Sequence, residues 1–116
     1  MDFSKRTLVG LTERMVVKSH DCRQEKLIAR IDTGATKSSI DLRLARQLGL
    51  GPVLHTRSFR SANGNSVRPI VKASIVIAGR KMKVKFSVVD RRHMRYRLLI
   101  GQNVLKRGFL IDPLRK

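Results

Sequence analysis

The residues best suited to chemistry are four consecutive positions, Asp32-Thr33-Gly34-Ala35, here called the aspartate loop. The preceding run, Lys26 to Ile31, predicts an apolar strand that delivers the Asp32 carboxylate into a turn of small residues. A carboxylate in such a setting is costly unless it is hydrogen-bonded, exposed in a cleft or used in a reaction. Thr33 adds a hydroxyl, and Gly34 permits close backbone approach. This segment alone leaves two interpretations open: a catalytic acid, or an Asx-type turn in which Asp32 caps its own backbone.

A second motif near the C-terminus favours the catalytic interpretation. The run Leu98 to Gly101 is an apolar strand that ends in glycine, and Asn103 to Lys106 has the pattern of a short helical turn. The order and spacing of this motif and the aspartate loop resemble the retropepsin-like aspartic proteases. In that family the second motif packs behind the aspartate. The resemblance therefore implies a catalytic role for Asp32, an active-site loop at Thr33, Gly34 and Ala35, and a support strand at Leu99, Ile100 and Gly101.

A hairpin signal lies between the two motifs, at Ala62, Asn63, Gly64 and Asn65. Asn-Gly is the strongest short-range indicator of a hairpin, and its arms are expected at Thr56–Ser61 and Ser66–Ala73. Pro69 predicts that the second arm is an edge or protruding strand without a full ladder. The retropepsin-like family has its flap at this place in the chain, so the four turn residues are candidates for closing over a substrate.

The resemblance extends from about Arg6 to Pro113 and is nearest to one prokaryotic branch, often labelled "ATP-dependent zinc protease" and found alongside ligases that add glutamate to proteins. The ending, Leu105 to Pro113, carries the likeness to this branch. No cofactor and no metal site are expected, because the three histidines are scattered, Cys22 has no partner at ligand spacing, and a phosphate-binding Gly-rich motif is absent.

Two positions depart from the viral members of the family. There an acid follows Asp-Thr-Gly-Ala and pairs with an arginine after the Ile-Gly of the second motif. Here these positions hold Thr36 and Gln102. Both halves of the ion pair are replaced together, which leaves no lone buried charge, and an altered dimer strength is expected.

One Asp-Thr-Gly per chain has a consequence if the protein is a protease. Aspartic proteases need two nearby carboxylates that share one proton, so that one acts as base toward water and the other as acid toward the substrate carbonyl. Asp41, Asp90 and Asp112 lack the local context of Asp32. The second carboxylate is therefore Asp32 of another copy, which predicts a two-fold homodimer. By the family's pattern, Thr33 links the two loops across the axis.

The charge is abnormal, with 26 Lys and Arg against 8 Asp and Glu, a net +18 over 116 residues. Such a field attracts acidic peptides, nucleic acid and ribosomes. Two arginine groups could bind acidic or glutamate-tailed peptides, one in the hairpin and one before the second motif: Arg57, Arg60 and Arg68, and Arg91, Arg92, Arg95 and Arg97. The alternative function is a non-catalytic basic β-barrel that binds RNA or ribosomes, and a third is a retropepsin-like fold kept as a dimerisation module.

The remaining pattern predicts a single domain over residues 1–116, all-β and mostly antiparallel, in the form of a small closed acid-protease-like barrel with one or two short helices. No apolar run approaches the roughly 18 residues of a membrane span, so we expect a soluble, cytoplasmic protein without a membrane partner. A turn is expected at Ala78–Lys81 and a helix at Asp41–Leu48. Strands are expected at Leu8–Val17, Lys26–Ile31, Val71–Ile77, Met82–Val89 and Arg97–Ile100.

Overall fold

Alternation of apolar and polar residues, rich in Val and Ile, builds most of the chain into strands that bury one side each. The computed structural model describes residues 4–62 and 64–115. Within them the elements are β1 (Thr7–Val9), β2 (Thr12–Lys18), β3 (Gln24–Ile31), β4 (Ser38–Asp41), α1 (Leu42–Gln47), β5 (His55–Ser61), β6 (Gly64–Ile77), β7 (Arg80–Val89), β8 (Leu98–Ile100), α2 (Gln102–Leu105) and β9 (Phe109–Ile111). The predicted all-β class with short helices is confirmed.

Six strands close into a barrel. The order of this seven-stranded sheet is β2-β3-β8-β4-β7-β6-β5, and β2 also pairs with β6, so that β5 is the one strand of the sheet outside the closed part. Strands β1 and β9 form a separate two-stranded sheet. The interior is filled by alternate residues of these strands, and α1 and α2 add Leu44 and Val104 to it. The largest fully buried side chains of the strands are Phe86, Ile40, Ile75, Ile77, Leu98 and Ile100. This closed barrel is the one predicted from the sequence.

Strand β8 is inserted between β3 and β4, and this placement builds the site. It runs parallel to β3, with Arg30 opposite Leu99, and antiparallel to β4, with Ser39 opposite the same Leu99. Five of the eight described strand pairings are antiparallel, as expected. The other three are parallel, and one of them joins β3 to β8, the two strands that carry the sequence motifs.

The run Leu8 to Val17 was expected to be one strand, and the structure shows two. Strand β1 pairs in parallel with β9, whereas β2 pairs with β3 and β6. The chain changes neighbours at Gly10, where a Cβ would lie 2.5 Å from the main-chain oxygen of Arg115. A continuous apolar pattern does not show which partner each half has, so the break could not be read from periodicity.

Both predicted hairpins are present, with one shift. Ala78 and Gly79 have φ of 48° and 79° and join β6 to β7, as a turn with two positive φ values requires. In the other hairpin Ser61 pairs with Gly64, so the connection lies one residue before the Asn-Gly dipeptide. Asn63 lies outside the described residues. Pro69 falls where β6 pairs with β5 but not yet with β7, which fits a protruding strand.

The helices begin and end close to their predicted bounds. The Asp41 carboxylate accepts a hydrogen bond from the Arg43 N–H and caps α1, and Gly49 follows the helix with a φ of 64°. Helix α2 begins one residue earlier than expected, directly after Gly101. Over residues 4–62 and 64–115, neither helix is long and apolar enough to cross a membrane.

Candidate active site

Strand β3 delivers Asp32 to the edge of the barrel. The Asp32 N–H donates to the main-chain oxygen of Ile100 in β8 at 2.9 Å, which extends the β3–β8 pairing by one step. The Gly34 N–H donates to Asp32 Oδ1 at 2.9 Å. Asp32 itself is half-buried, while Thr33 and Gly34 are exposed. The Asx-type bond is thus present, and it orients a carboxylate whose Oδ2 makes no hydrogen bond or ion pair within the described part of the chain.

Gly101 allows the second motif to pack directly behind the aspartate loop. A Cβ at this position would lie 2.3 Å from the main-chain oxygen of Lys37 and 2.7 Å from that of Ala35. The first two N–H groups of α2 donate to the loop and to the residue after it, Gln102 to the Ala35 oxygen at 2.8 Å and Asn103 to the Thr36 oxygen at 3.2 Å. These bonds satisfy main-chain donors that a helix start leaves without internal partners. The aspartate loop and α2 therefore form one hydrogen-bonded unit.

Ser38 and Asn103 connect this unit to the barrel through side-chain hydrogen bonds, and neither was predicted from the sequence as a site residue. The Gly101 N–H donates to Ser38 Oγ at 3.0 Å, and Ser38 Oγ donates to Asn103 Oδ1 at 2.7 Å. Asn103 Nδ2 in turn donates to the main-chain oxygen of Lys85 at 3.1 Å. Ser38 is fully buried and lies opposite Phe86 of β7. The sequence feature that could have indicated the role of Ser38 is a serine at a core-facing position of a strand, because a buried hydroxyl needs hydrogen-bond partners.

Gln102 occupies the position where the viral members have an arginine, and it bonds to the aspartate loop directly. Its side-chain Nε2 donates to the main-chain oxygen of Thr33 at 2.8 Å. Thr36, at the position of the missing acid, is exposed. A neutral hydrogen bond to the main chain thus supports the loop where the viral pattern places an ion pair.

Arg91 is a buried guanidinium beside the site. It is 7% exposed, its Nε donates to the Tyr96 oxygen at 2.9 Å, and its Nη1 donates to Ser39 Oγ at 3.1 Å. Burial lowers the pKa of Arg91, the charge of Asp41 opposes this, Arg30 and Arg68 add to the lowering, and Asp32 opposes it. Arg68, at the base of the β5–β6 hairpin, and Asp32, in the aspartate loop, therefore shift the pKa of the same buried arginine in opposite directions.

The other arginines of this segment have different environments. Arg92 pairs with Asp90 at 3.2 Å, Arg97 approaches Glu25 at 3.7 Å, and the Arg95 guanidinium lies 5.5 Å from the centre of the Tyr96 ring. All three are exposed. The sequence grouped four arginines before the second motif, and the structure separates the buried Arg91 from these three.

Asp41 and Asp90 belong to a structural cluster. Burial raises the pKa of Asp41, but N–H donors from Arg91 and Arg43, together with the Arg43 charge, lower it overall. The hydrogen bond from Arg43 is the main cause that lowers the pKa of Asp90. Arg43 Nη2 lies 2.6 Å from Asp41 Oδ1 and 2.8 Å from Asp90 Oδ1. These contacts cap α1 and hold it to the end of β7.

The candidate flap is the outer part of the β5–β6 hairpin. Ala62, Gly64 and Asn65 are exposed there, and Asn63 lies outside the described residues. The Arg68 guanidinium lies 4.4 Å from the centre of the Phe59 ring across the hairpin, a cation–π contact that stiffens its base. No group of three or more metal-ligating side chains forms among the residues that the structure describes, and Cys22 is exposed.

Comparisons with known proteins identify the family and the fold. A family model described as "gag-polyprotein putative aspartyl protease" matches residues 23–107. EIAV protease in complex with the inhibitor HBY-793 has a TM-score of 0.66 at 20% identity over 97% of this chain and 98% of that chain. The simian foamy virus (mac) protease has a TM-score of 0.57 at 15% identity over 81% and 92%. A protein of unknown function from Legionella pneumophila has a TM-score of 0.63 at 18% identity over 92% and 93%.

One curated relative carries a different name. A 62-residue segment is 32% identical to a protein of Shewanella pealeana named "Probable alpha-L-glutamate ligase" and makes up 53% of this chain. The match spans 14% of the length of that relative. The family model, by contrast, matches most of the barrel, including the aspartate loop and the second motif. The chain therefore belongs to the gag-polyprotein aspartyl protease family and has the fold of a retropepsin-like aspartic protease.

Proposed function

We propose that the protein is an aspartic peptidase that works as a homodimer, with one Asp32 from each copy. The observation that carries this proposal is the Asp32 carboxylate at the end of β3, which the Gly34 N–H orients through Oδ1 and whose Oδ2 has no hydrogen bond to another described residue. Membership of an aspartyl protease family supports the activity. The dimer follows from chemistry, because a single carboxylate cannot serve as both base and acid in one step.

In the proposed reaction, one Asp32 carboxylate takes a proton from water as the water oxygen attacks the peptide carbonyl carbon. The other Asp32, protonated, gives its proton to the carbonyl oxygen, which yields a tetrahedral diol. As the diol collapses, one of its hydroxyl groups returns a proton to the ionised Asp32 and the C–N bond breaks. The departing amine nitrogen takes the proton that the first Asp32 had accepted from water. The Gly34 N–H holds Asp32 in position throughout, and residues 62–65 close over the substrate.

Acidic peptides, including glutamate tails, are the proposed substrate class. The net charge of +18 supports this, because it concentrates negatively charged chains near the site. The name of the Shewanella relative, "Probable alpha-L-glutamate ligase", supports a link to glutamate, since a segment of this chain is similar to a segment of that protein. We place the protein in the cytoplasm and in the branch labelled "ATP-dependent zinc protease", whose ligase neighbours would supply such tails.

The test is cleavage of a peptide library followed by mass spectrometry, with the native chain, Asp32→Asn, and Asp21→Asn as the matched control. The library contains neutral, basic and glutamate-tailed peptides. Cleavage by the native and Asp21→Asn proteins, with none by Asp32→Asn, is the expected result. Equal cleavage by Asp32→Asn, or cleavage by a protein that sediments as a monomer, would overturn the mechanism. Salt-sensitive RNA binding without any cleavage would favour the basic RNA-binding barrel instead.

A further inference from the structure

A single face of the sheet connects the aspartate loop to the base of the hairpin. Arg30 lies opposite Leu99, Leu99 opposite Ser39, Ser39 opposite Ser87, and Ser87 opposite Ile70. Directly opposed residues in paired strands present their side chains on the same face. We call the part of this surface that carries Arg30, Arg57, Arg68, Lys72, Lys83 and Lys85 the basic face. Asp41, two residues after Ser39, lies on the same side of β4, but it is buried and paired with Arg43.

Like charges lie directly opposite each other at two positions of the basic face. Arg57 of β5 is opposite Arg68 of β6, and Lys72 of β6 is opposite Lys85 of β7. Such pairs of like charges destabilise a sheet, because the Cβ atoms of directly opposed residues are only about 5 Å apart. The Arg68 charge is partly balanced by the Phe59 ring. Lys72 and Lys85 are exposed and take part in no ion pair within residues 4–62 and 64–115.

The acidic residues of the described chain do not balance this charge. Those that form ion pairs do so elsewhere, with arginines outside the basic face: Glu13, Asp21, Glu25, Asp41 and Asp90. Asp112 accepts a hydrogen bond from the Leu114 N–H. Asp32 remains as the carboxylate beside this surface. An anion that binds the basic face would therefore meet cations that no internal carboxylate neutralises.

A cavity of about 330 Å³ opens on the basic face. Its lining includes several cations and one amide: Lys37, Lys72, Lys83, Lys85, Arg107 and Asn103. Lys37 directly precedes β4, and the Asn103 N–H donates to the main-chain oxygen of Thr36, the residue after the aspartate loop. The cavity therefore shares Asn103 with the hydrogen-bonded unit that supports the loop.

We propose that this cavity is a subsite for two or more consecutive side-chain carboxylates of a peptide, with Lys72, Lys83 and Lys85 as its anchors. The proposal rests on the proposed peptidase function and deepens it by giving the acidic part of the substrate a place. β3 and β6 are four strand spacings apart on this side of the barrel, about 19 Å measured across the strands, and an extended peptide of about six residues spans that separation. The proposal therefore places the glutamates several residues from the cleaved bond.

The lining favours an acidic peptide over RNA. Single-stranded nucleic acid is bound by stacking of bases on aromatic side chains in addition to contacts with phosphates. The described lining residues of the cavity include Ile70 and His55, but no Phe, Tyr or Trp on which bases would stack. Carboxylates need only cations at short spacing, and the opposed Lys72 and Lys85 supply that.

The test compares two triple variants of equal charge, both in the Asp32→Asn background so that no peptide is cut. One is Lys72→Gln, Lys83→Gln and Lys85→Gln. The control is Lys5→Gln, Lys26→Gln and Lys106→Gln, three exposed lysines outside the cavity. The probe is a fluorescent hexaglutamate peptide, followed by anisotropy at 150 mM salt, with a single-stranded RNA hexamer in a parallel arm.

The cavity variant is expected to bind hexaglutamate about tenfold more weakly, and the control variant less than about twofold more weakly. Equal weakening by both variants would show attraction to net charge alone and overturn the subsite. So would RNA binding that depends on the three cavity lysines while hexaglutamate binding does not. Circular dichroism of both variants checks the fold. Because binding is measured without catalysis, a protein that cuts nothing can still pass or fail this test, which separates it from failure of the peptidase proposal.

Discussion

The side chain of Gln102, the first residue of α2, donates a hydrogen bond to the main-chain oxygen of Thr33 at 2.8 Å. This bond joins the residue after Gly101 to the residue after Asp32, across 69 positions of sequence. With the Gln102 N–H bound to the Ala35 oxygen, one residue holds the aspartate loop at two points. The geometry of the loop therefore depends on α2 as well as on β3.

Replacement of Gln102 should loosen the loop without unfolding the barrel. Gln102→Ala and Gln102→Glu both remove the Nε2 donor, and each is expected to cost about 1 kcal/mol of unfolding free energy. Cleavage should fall several-fold because Asp32 is less well positioned. Kinetics with a glutamate-tailed peptide and urea unfolding measure the two effects. Lys106→Ala, on the exposed end of the same helix, is the control, and an equal loss of activity in that variant would contradict the prediction.

Two glycines of the site should respond to alanine in different ways. Gly101→Ala places a methyl group 2.3 Å from a main-chain oxygen, which requires backbone movement, and we expect a loss of at least about 2 kcal/mol of stability. At Gly34 the added carbon meets the Asp32 Oδ1 at 3.2 Å. Gly34→Ala should therefore fold nearly normally and lose activity. Urea unfolding and peptide cleavage of both variants check the contrast, which fails if Gly34→Ala is the less stable of the two.

The buried guanidinium of Arg91 should not be replaceable by lysine. Its Nε and Nη1 bonds to Tyr96 and Ser39 diverge in a way that one ammonium group cannot reproduce. Arg91→Lys is expected to lower the unfolding free energy by about 1–3 kcal/mol. The neighbouring Arg92→Lys, at an exposed ion pair, should change it by less than about 0.5 kcal/mol. Thermal and urea unfolding of the Arg91→Lys and Arg92→Lys variants test this difference. Similar losses of unfolding free energy in the two variants would disprove a special role for Arg91.

Asp41 should make the fold sensitive to acid. Its pKa in the folded protein lies below the ordinary value of 3.8, so the carboxylate stabilises the fold at pH values above 3.8. That stabilisation is lost as pH falls below 3.8 and through the lower folded pKa. Asp41→Asn should therefore be less stable than the native chain at pH 6, and the difference should shrink toward pH 2. The measurement is the free energy of unfolding of the native chain and of Asp41→Asn at several pH values between 2 and 6. Asp112→Asn is the control, because Asp112 lies outside the Asp41 cluster. A constant difference would contradict the prediction.

The proposed homodimer predicts how native and inactive chains behave when mixed. If each active centre needs Asp32 from both copies, equal amounts of native chain and Asp32→Asn should give about one quarter of the homodimer activity after subunit exchange. The measurement is cleavage rate per total protein against mixing ratio. A linear fall to one half, as for independent chains, would rule out a shared centre. Asp21→Asn in place of Asp32→Asn should leave the activity unchanged.

Much of the local structure was predictable from the sequence because it depends on near neighbours. The strand that leads to Asp32, the capping of α1 by Asp41, the stop at Gly49 and the turn at Ala78-Gly79 each follow from a few adjacent residues. The family resemblance added that the two motifs would meet. In the structure the Asp32 N–H bonds to Ile100, and Gly101 lies against the loop.

Tertiary structure decided which strands are neighbours, and with them the chemistry around the site. Insertion of β8 between β3 and β4 brings Ser38 under Gly101, and the β6–β7 register places Lys72 opposite Lys85. The burial of one arginine among four, and the division of the run Leu8 to Val17 between two sheets, arise in the same way. A strand's sequence shows which of its faces is apolar, but its partner and register come from contacts between distant segments. The sequence by itself thus determined where the acid stands, and the assembled barrel determined what surrounds it.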